Sequence, residues 1–249
     1  MKDNKEKEIL EFLQVKQFST VEQIAESLFL SPSTVRRKLN VLQDKGLISR
    51  THGGAKINDS NNLLPGFTFR FHKNIKEKKK IAEIASTQIK DGDVIFLDGS
   101  TSAFYVATCL KGFKNLKVIT NGIDTLSELS KTGIKTYSTG GAISSTNTSV
   151  LVGYHGENTV KGFNADIMFF SVASINENAM LYDIYEEEIS MRKTMLNNSK
   201  VKVLLLDNAK FSANAPYTLC PLDDIDILIT DKELDGYFKI SPKTKIIKV

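Results

Sequence analysis

Two groups of residues in this chain have the types and the spacing to do chemistry. The first is Ser31-Pro32-Ser33-Thr34-Val35-Arg36-Arg37-Lys38-Leu39-Asn40. In a helix that buries Val35, Leu39 and Leu42, a turn of about 100° per residue puts Ser33, Arg36, Arg37 and Asn40 on the opposite side. Arg37 is then almost diametrically opposed to the buried stripe, and Lys38 lies on the flank. That set matches what a major groove displays: Arg bonds guanine O6 and N7, Asn bonds adenine N6 and N7, and Ser reaches a base or a phosphate. Ser31 to Thr34 also offer a phosphate the free N–H groups of a helix start. Taken alone, the helix fits an ordinary solvated face equally well.

The second group is a set of turns that end apolar runs. Leu97-Asp98-Gly99-Ser100-Thr101-Ser102 joins one such run to Ala103, Val106, Ala107 and Leu110 at helical spacing. Small hydroxyl residues where a strand meets a helix N-terminus make a phosphate cradle, in which free N–H groups and hydroxyl donors converge. Thr120-Asn121-Gly122 and Thr139-Gly140-Gly141-Ala142 repeat the arrangement, each expected to pass from strand to helix. One such turn means little, because these junctions favour such residues anyway. Three at successive strand ends point to one crevice, where open α/β sheets bind ligands. Asp207-Asn208-Ala209-Lys210-Phe211 ends a later strand and brings Lys210, either a surface lysine or a cation for the same anion. Asp98 does not favour a dianion directly; it accepts a ligand hydroxyl or fixes the turn.

The elements that must position these residues are legible as periodicity. Ile9, Phe12, Leu13 and Val15 mark a first helix. Ser19-Thr20-Val21-Glu22 has the spacing of a capping box, with Val21, Ile24, Ala25 and Leu28 behind it. Ser31 as cap and Pro32 at the first helical position start a third helix, which Gly46 ends. Leu47 to Arg50 and Ala55 to Ile57 flank His52-Gly53-Gly54 as a hairpin. Residues 58–75, opening Asn58-Asp59-Ser60-Asn61-Asn62, have the polar composition of a linker. Beyond it, near-continuous apolar strands alternate with helices, the pattern of a mostly parallel open sheet covered on both faces. The expected fold is therefore α/β, with a small helical domain at 1–57, a linker at 58–75 and a larger domain at 76–249.

Basic charge is concentrated in one stretch of the small domain. The chain of 249 residues carries a formal +4. Between Arg36 and Lys56, six bases (Arg36, Arg37, Lys38, Lys45, Arg50, Lys56) face the single acid Asp44, a net +5. The charged start Met1-Lys2-Asp3-Asn4-Lys5 does not read as a signal peptide, and no apolar run approaches the ~20 residues of a bilayer span. A cytoplasmic location without membrane contact is expected. Cys109 and Cys220 fit no zinc spacing. No metal, cofactor or catalytic residue is expected.

Ser31 to Leu39, with Leu47-Ile48-Ser49-Arg50-Thr51-His52-Gly53-Gly54-Ala55, resembles the N-terminal signature of the DeoR family of regulators, which usually has Asp where this chain has Lys38. The resemblance implies a winged helix-turn-helix whose wing is the Arg50 to Gly54 stretch, with Thr51 between Arg50 and His52. His52 is then an ordinary surface residue or a phosphate or minor-groove contact. The implied DNA-binding residues are Ser31, Ser33, Thr34, Arg36, Arg37, Lys38, Asn40, Arg50, His52 and Gly53.

The later turns resemble the family's C-terminal sensor domain, which is similar in fold to ribose-5-phosphate isomerase. Asp207 to Phe211 matches its Asp-x-x-Lys-Phe motif. Glu187-Glu188 ahead of Arg192 matches its acidic helix motif, with Arg192 in place of the usual Lys. Ser171 to Asn178 stands where relatives tend to be glycine-rich. The implied ligand-binding residues are Asp98, Gly99, Ser100, Thr101, Thr120, Asn121, Gly140, Gly141, Asp183, Glu188 and Lys210.

The resemblance implies a DNA-binding transcriptional regulator, in this family most often a repressor of a carbohydrate-catabolism operon, relieved or modulated by a phosphorylated sugar. Its partners would be a double-stranded DNA operator, the phosphorylated sugar and further copies of the chain. A single winged helix reads few base pairs, so a dimer or tetramer is expected. Two alternatives stay open. One is a sugar-phosphate isomerase fused to a DNA reader, although Thr139 to Ala142 lacks the lysine that the isomerase pattern has beside its glycines. The other is a DNA-binding regulator with a non-functional sensor.

Overall fold

The apolar spacing of the first 44 positions produces three helices, α1 (Asn4–Lys16), α2 (Val21–Ser27) and α3 (Pro32–Asp44). In the computed structural model, which describes residues 4–249 except 17, 45–46, 52, 58–69, 72, 212–214 and 240–241, they bury one small core. Ile9 and Leu13 of α1, Val21 and Ile24 of α2, and Val35, Leu39 and Leu42 of α3 meet there. The helix stop expected at Gly46, the wing residue His52 and most of the linker lie outside the described residues.

A short strand not anticipated from the sequence, β1 (Phe18–Thr20), precedes α2, and the hairpin follows α3 as β2 (Ile48–Thr51) and β3 (Gly54–Ile57). The three form an antiparallel sheet in the order β1-β3-β2. This strand moves the expected cap by one residue. Ser19 is drawn into the sheet opposite Ala55 and buried. Thr20 caps α2 instead, accepting from the Gln23 N–H at 3.2 Å, while Gln23 Oε1 accepts from the Thr20 N–H at 2.9 Å. The box is intact with Gln23 in its second position, not Glu22. Ser31 caps α3 through the Thr34 N–H at 3.2 Å.

By its internal contacts the chain divides at residue 72 into two units, Met1–His72 and Lys73–Val249. The second unit opens with α4 (Ile75–Ser86) and then alternates β4 (Val94–Leu97), α5 (Thr101–Thr108), β5 (Lys117–Thr120), α6 (Ile123–Leu129) and β6 (Lys135–Ser138). A ribbon of β7 (Ala142–Ile143) and β8 (Leu151–Val152) leads through α7 (Tyr154–Lys161) to β9 (Ala165–Phe170). There follow β10 (Ser174–Ile175), β11 (Met180–Asp183), α8 (Glu186–Asn197), β12 (Ser199–Leu206), β13 (Tyr217–Pro221), β14 (Ile227–Thr230) and β15 (Lys245–Lys248).

Seven strands form one parallel sheet, ordered β15-β14-β12-β9-β4-β5-β6. Buried runs such as Ile95-Phe96-Leu97 and Leu204-Leu205-Leu206 explain why it is covered on both faces. Strand order decides where a ligand can sit. The chain winds outward from β4 through β5 to β6, then crosses back to place β9 on the other side of β4. The reversal between β4 and β9 is the topological switch point, and the crevice of such a sheet opens there at the carboxyl ends of the strands.

Candidate functional site

In the first unit, α3 presents the face derived from its periodicity. Ser33, Arg36, Arg37 and Asn40 are exposed opposite buried Val35, Leu39 and Leu42. Ser31 Oγ lies 3.0 Å from Ser33 Oγ and 2.9 Å from Thr34 Oγ1, so three hydroxyls gather at the start of α3. Arg36 reaches Glu22 at 3.4 Å, with both side chains solvated. Gly53 forms the exposed hairpin turn.

Two residues have roles the sequence did not suggest. Lys38 Nζ pairs with Glu6 of α1 at 2.5 Å, half-buried, and its ammonium therefore joins two helices of its own unit. Arg50 Nη1 donates to Asn40 Oδ1 at 2.6 Å, tying β2 to α3. Bidentate adenine reading needs that Asn40 oxygen to accept from N6, so this bond must open before Asn40 pairs with a base.

In the second unit, the ends of β4 and β9 meet at the switch point. The Asp98 N–H donates to Phe169 O at 3.2 Å, and Asp98 accepts from the N–H groups of Ser100 at 3.0 Å and Ser171 at 3.3 Å. Ser100 caps α5 by accepting from the Ala103 N–H at 3.1 Å, which leaves its own O–H as a donor. Gly99 is required by close approach, since a Cβ there would lie 2.2 Å from Val150 Cγ1. At the end of β5, Thr120 Oγ1 accepts from the Gly122 N–H at 3.0 Å, and Asn121 Nδ2 donates to Leu151 O at 3.0 Å.

Four polar atoms in this region, Asn121 Oδ1, Thr125 Oγ1, Ser171 Oγ and Ser174 Oγ, are buried without a hydrogen-bond partner. The ideal Cβ position of Gly99 lies 3.6 Å from Asn121 Oδ1 and that of Gly122 lies 3.0 Å from Thr125 Oγ1, so these two atoms border the cradle.

Asp98, Asp183 and Glu188 converge on one group that the sequence had marked only as a Lys replacement. Arg192, 5% exposed, donates from Nε to Asp98 at 3.1 Å and from Nη1 to Asp183 at 2.6 Å, while Nη2 lies 3.5 Å from Glu188. Glu188 Oε1 also accepts from Asn147 Nδ2 at 2.8 Å. Burial pushes the guanidinium's pKa down, but Asp183, Asp98 and Glu188 push it up past its ordinary value. Three carboxyl groups thus share one buried guanidinium. Asn147 has no motif around it, and only the fold brings it to Glu188.

The third turn departs from expectation. Thr139-Gly140-Gly141 enters the β7–β8 ribbon and not a helix. Gly141 has φ +102°, and a Cβ there would lie 2.4 Å from Val152 O, so the ribbon returns over the turn and leaves no room for a helix start. Lys210 follows β12 in a short 3-10 helix (Asn208–Lys210), where Asp207 accepts from the Ala209 N–H at 3.1 Å and Asn74 Nδ2 at 2.7 Å. Strand β12 is two places from β4 on one side and β6 two places on the other. The strand ends that carry Lys210 and Gly140 thus start about 20 Å apart, at a spacing of about 4.8 Å per strand.

Comparison with known proteins agrees with this division. Residues 5–61 match the DeoR-like helix-turn-helix domain, and residues 73–232 match the DeoR C-terminal sensor domain. The HTH-type transcriptional regulator GolR of Listeria innocua is 34% identical over 87% of this chain and 85% of its own length. The glycerol-3-phosphate regulon repressor of Escherichia coli is 28% identical over 90% of this chain and 88% of its own. Ribose 5-phosphate isomerase A of Methanocaldococcus jannaschii overlays 56% of each chain at a TM-score of 0.43 and 18% identity. An α3 with a basic exposed face beside a three-stranded wing, joined in sequence to a parallel α/β unit with hydroxyl residues at its strand ends, is the organisation of a DNA reader coupled to a sensor, and the chain belongs to the DeoR family of helix-turn-helix transcriptional regulators.

Proposed function

We propose that the crevice at the β4–β9 switch point binds a phosphorylated sugar, and that its occupancy sets the grip of the first unit on a double-stranded DNA operator. The observation that carries this reading is the set of buried polar atoms without protein partners, Asn121 Oδ1, Thr125 Oγ1 and Ser171 Oγ, around the cradle that caps α5. Buried polar atoms are almost always satisfied, so unpaired ones in a crevice call for a ligand or ordered water. The phosphate sits at Ser100, Thr101 and the free N–H groups of α5, and Lys210 approaches from the end of β12. Asp98, Asp183 and Glu188 are held by Arg192, so they shape the sugar end of the site and do not stand as free bases. The unit therefore senses and does not turn over its ligand; an isomerase assay on pentose and hexose phosphates is expected to show no conversion.

The linker between reader and sensor lies within residues 58–72 and not 58–75, because Lys73 to Ile75 belong to the second unit and Ile75 opens α4. The regulator acts as a repressor of a carbohydrate-catabolism operon, in keeping with the relative named for glycerol 3-phosphate and for repression. It binds as a dimer or tetramer, because one recognition helix covers too few base pairs for genomic specificity. The test is thermal unfolding and operator titration of the full chain with a panel of sugar phosphates, the parent sugars and inorganic phosphate. A sugar phosphate at 100 times its Kd is expected to add about 2.7 kcal/mol of stability and to change operator affinity. A parent sugar that acts as strongly as its phosphate ester would refute the phosphate cradle.

A further inference from the structure

The turn between α2 and α3 has the geometry of a glycine turn and holds a phenylalanine. After the α2 cap at Leu28, the Leu30 N–H bonds Ala25 O at 2.9 Å and the Phe29 N–H reaches Glu26 O at 3.4 Å. This crossed pair is the Schellman closure of a helix, and it holds the residue in between in left-handed backbone. Phe29 accordingly has φ +51°. The position suits Gly or Asn, because a bulky side chain there crowds the neighbouring carbonyl.

Burial does not offset the strain. The Phe29 ring is 96% exposed, the highest value of any large apolar side chain among the described residues. Leu28 and Leu30 on either side pack onto the core of the unit. Phe29 is thus unfavourable for its own fold in two independent ways, backbone and solvation. A strained outlier with no local compensation is where a functional contact is to be sought.

Its place in the chain identifies the partner. Phe29 lies two residues before Ser31, the cap of α3, at the helix end that enters the major groove in helix-turn-helix proteins. Among base edges in that groove, the thymine C5-methyl is the apolar group that sets one base apart from the others. We propose that Phe29 is a specificity-determining contact that packs its ring on a thymine methyl at the edge of the site read by α3. The inference rests on the DNA-binding reading of α3 and extends it to a residue outside the helix. The contact has neither charge nor hydrogen bond, so it adds base preference without adding grip on phosphate.

The test uses the full chain and a duplex that the wild type selects from a random DNA pool. Phe29→Asn and Phe29→Gly both accept left-handed backbone, and their Tm is expected to match or exceed that of the wild type. Their affinity for the selected duplex is expected to fall on the order of fivefold to tenfold, the scale of a lost apolar contact. The slope of log Kd against log salt is expected to stay unchanged, since no phosphate contact is removed. Replacing the thymines one at a time by deoxyuridine deletes single methyl groups. One such position is expected to reproduce the loss with the wild type and to cost Phe29→Asn nothing further. Unchanged affinity in both variants overturns the proposal, as does a loss that no uridine reproduces or one that comes with a flatter salt slope. The wild-type selection reports on DNA binding itself, whereas the ratio of variant to wild type reports on Phe29 alone.

Discussion

Arg192 Nε on α8 donates to Asp98 Oδ2 at the end of β4, 3.1 Å away and 94 positions earlier in the chain. The same guanidinium bonds Asp183 and lies beside Glu188, so one side chain ties the switch point to the antiparallel sheet β10-β11-β13 and to its own helix. Removing one partner of such a buried cluster leaves uncompensated charge, which is far costlier than the net worth of the pair. Arg192→Met is therefore expected to destabilise the second unit by about 3–5 kcal/mol in urea unfolding. Arg192→Lys, which replaces a fork by a point charge, is expected to recover part of that loss. A Met variant as stable as the wild type would mean that the three carboxylates do not depend on Arg192.

The Thr125 hydroxyl has no protein partner to lose. Thr125→Val keeps the shape and removes the buried polar atom, so its stability without ligand is expected to stay within about 1 kcal/mol of wild type or to rise. Binding of a sugar phosphate, measured by calorimetry, is expected to weaken. Unaltered binding together with raised stability would remove Thr125 from the site.

Arg37 and Lys38 are neighbours with opposite surroundings. Arg37 is exposed, whereas Lys38 pairs with Glu6 inside the first unit. Arg37→Ala is expected to lose about 1–3 kcal/mol on the selected duplex and to relax base preference, with Tm unchanged. Lys38→Ala is expected to lower stability by about 1 kcal/mol and to leave the salt dependence of binding as it is. A salt slope flattened by about one phosphate in Lys38→Ala would show that the pair with Glu6 opens on DNA.

Cys220 gives an alkaline signature. Burial, and next to it Asp224, push its thiol up to about 11. The folded value lies above the unfolded one, about 8.5, so the neutral thiol's contribution is intact below that pH and is lost as pH rises towards the folded value. Stability is expected to fall between about pH 8.5 and 11, and Cys220→Ala is expected to remove part of that slope. Alkylation at pH 8 is expected to be slow in the folded chain and fast in urea.

The sequence by itself determined what depends on near neighbours along the chain. The period of Val35, Leu39 and Leu42 set the exposed face of α3, and Ser31-Pro32 set its start. Near-continuous apolar runs marked the central strands such as β4, β9 and β12 but not the edge strand β15, and the hydroxyl turns after β4 and β5 marked two strand ends at the proposed site. Tertiary structure decided which distant residues meet. Pairing with β3 drew Ser19 into a sheet and passed the cap to Thr20. The return of the ribbon at Val152 kept the Thr139-Gly140-Gly141 turn from starting a helix. Lys38 found Glu6 across 32 positions, and Arg192 found Asp98 across 94. Periodicity and capping record interactions within a few residues, where the chain's geometry is already set. Ion pairs over such spans depend on strand order and helix packing, which are resolved only when the apolar faces close on one another.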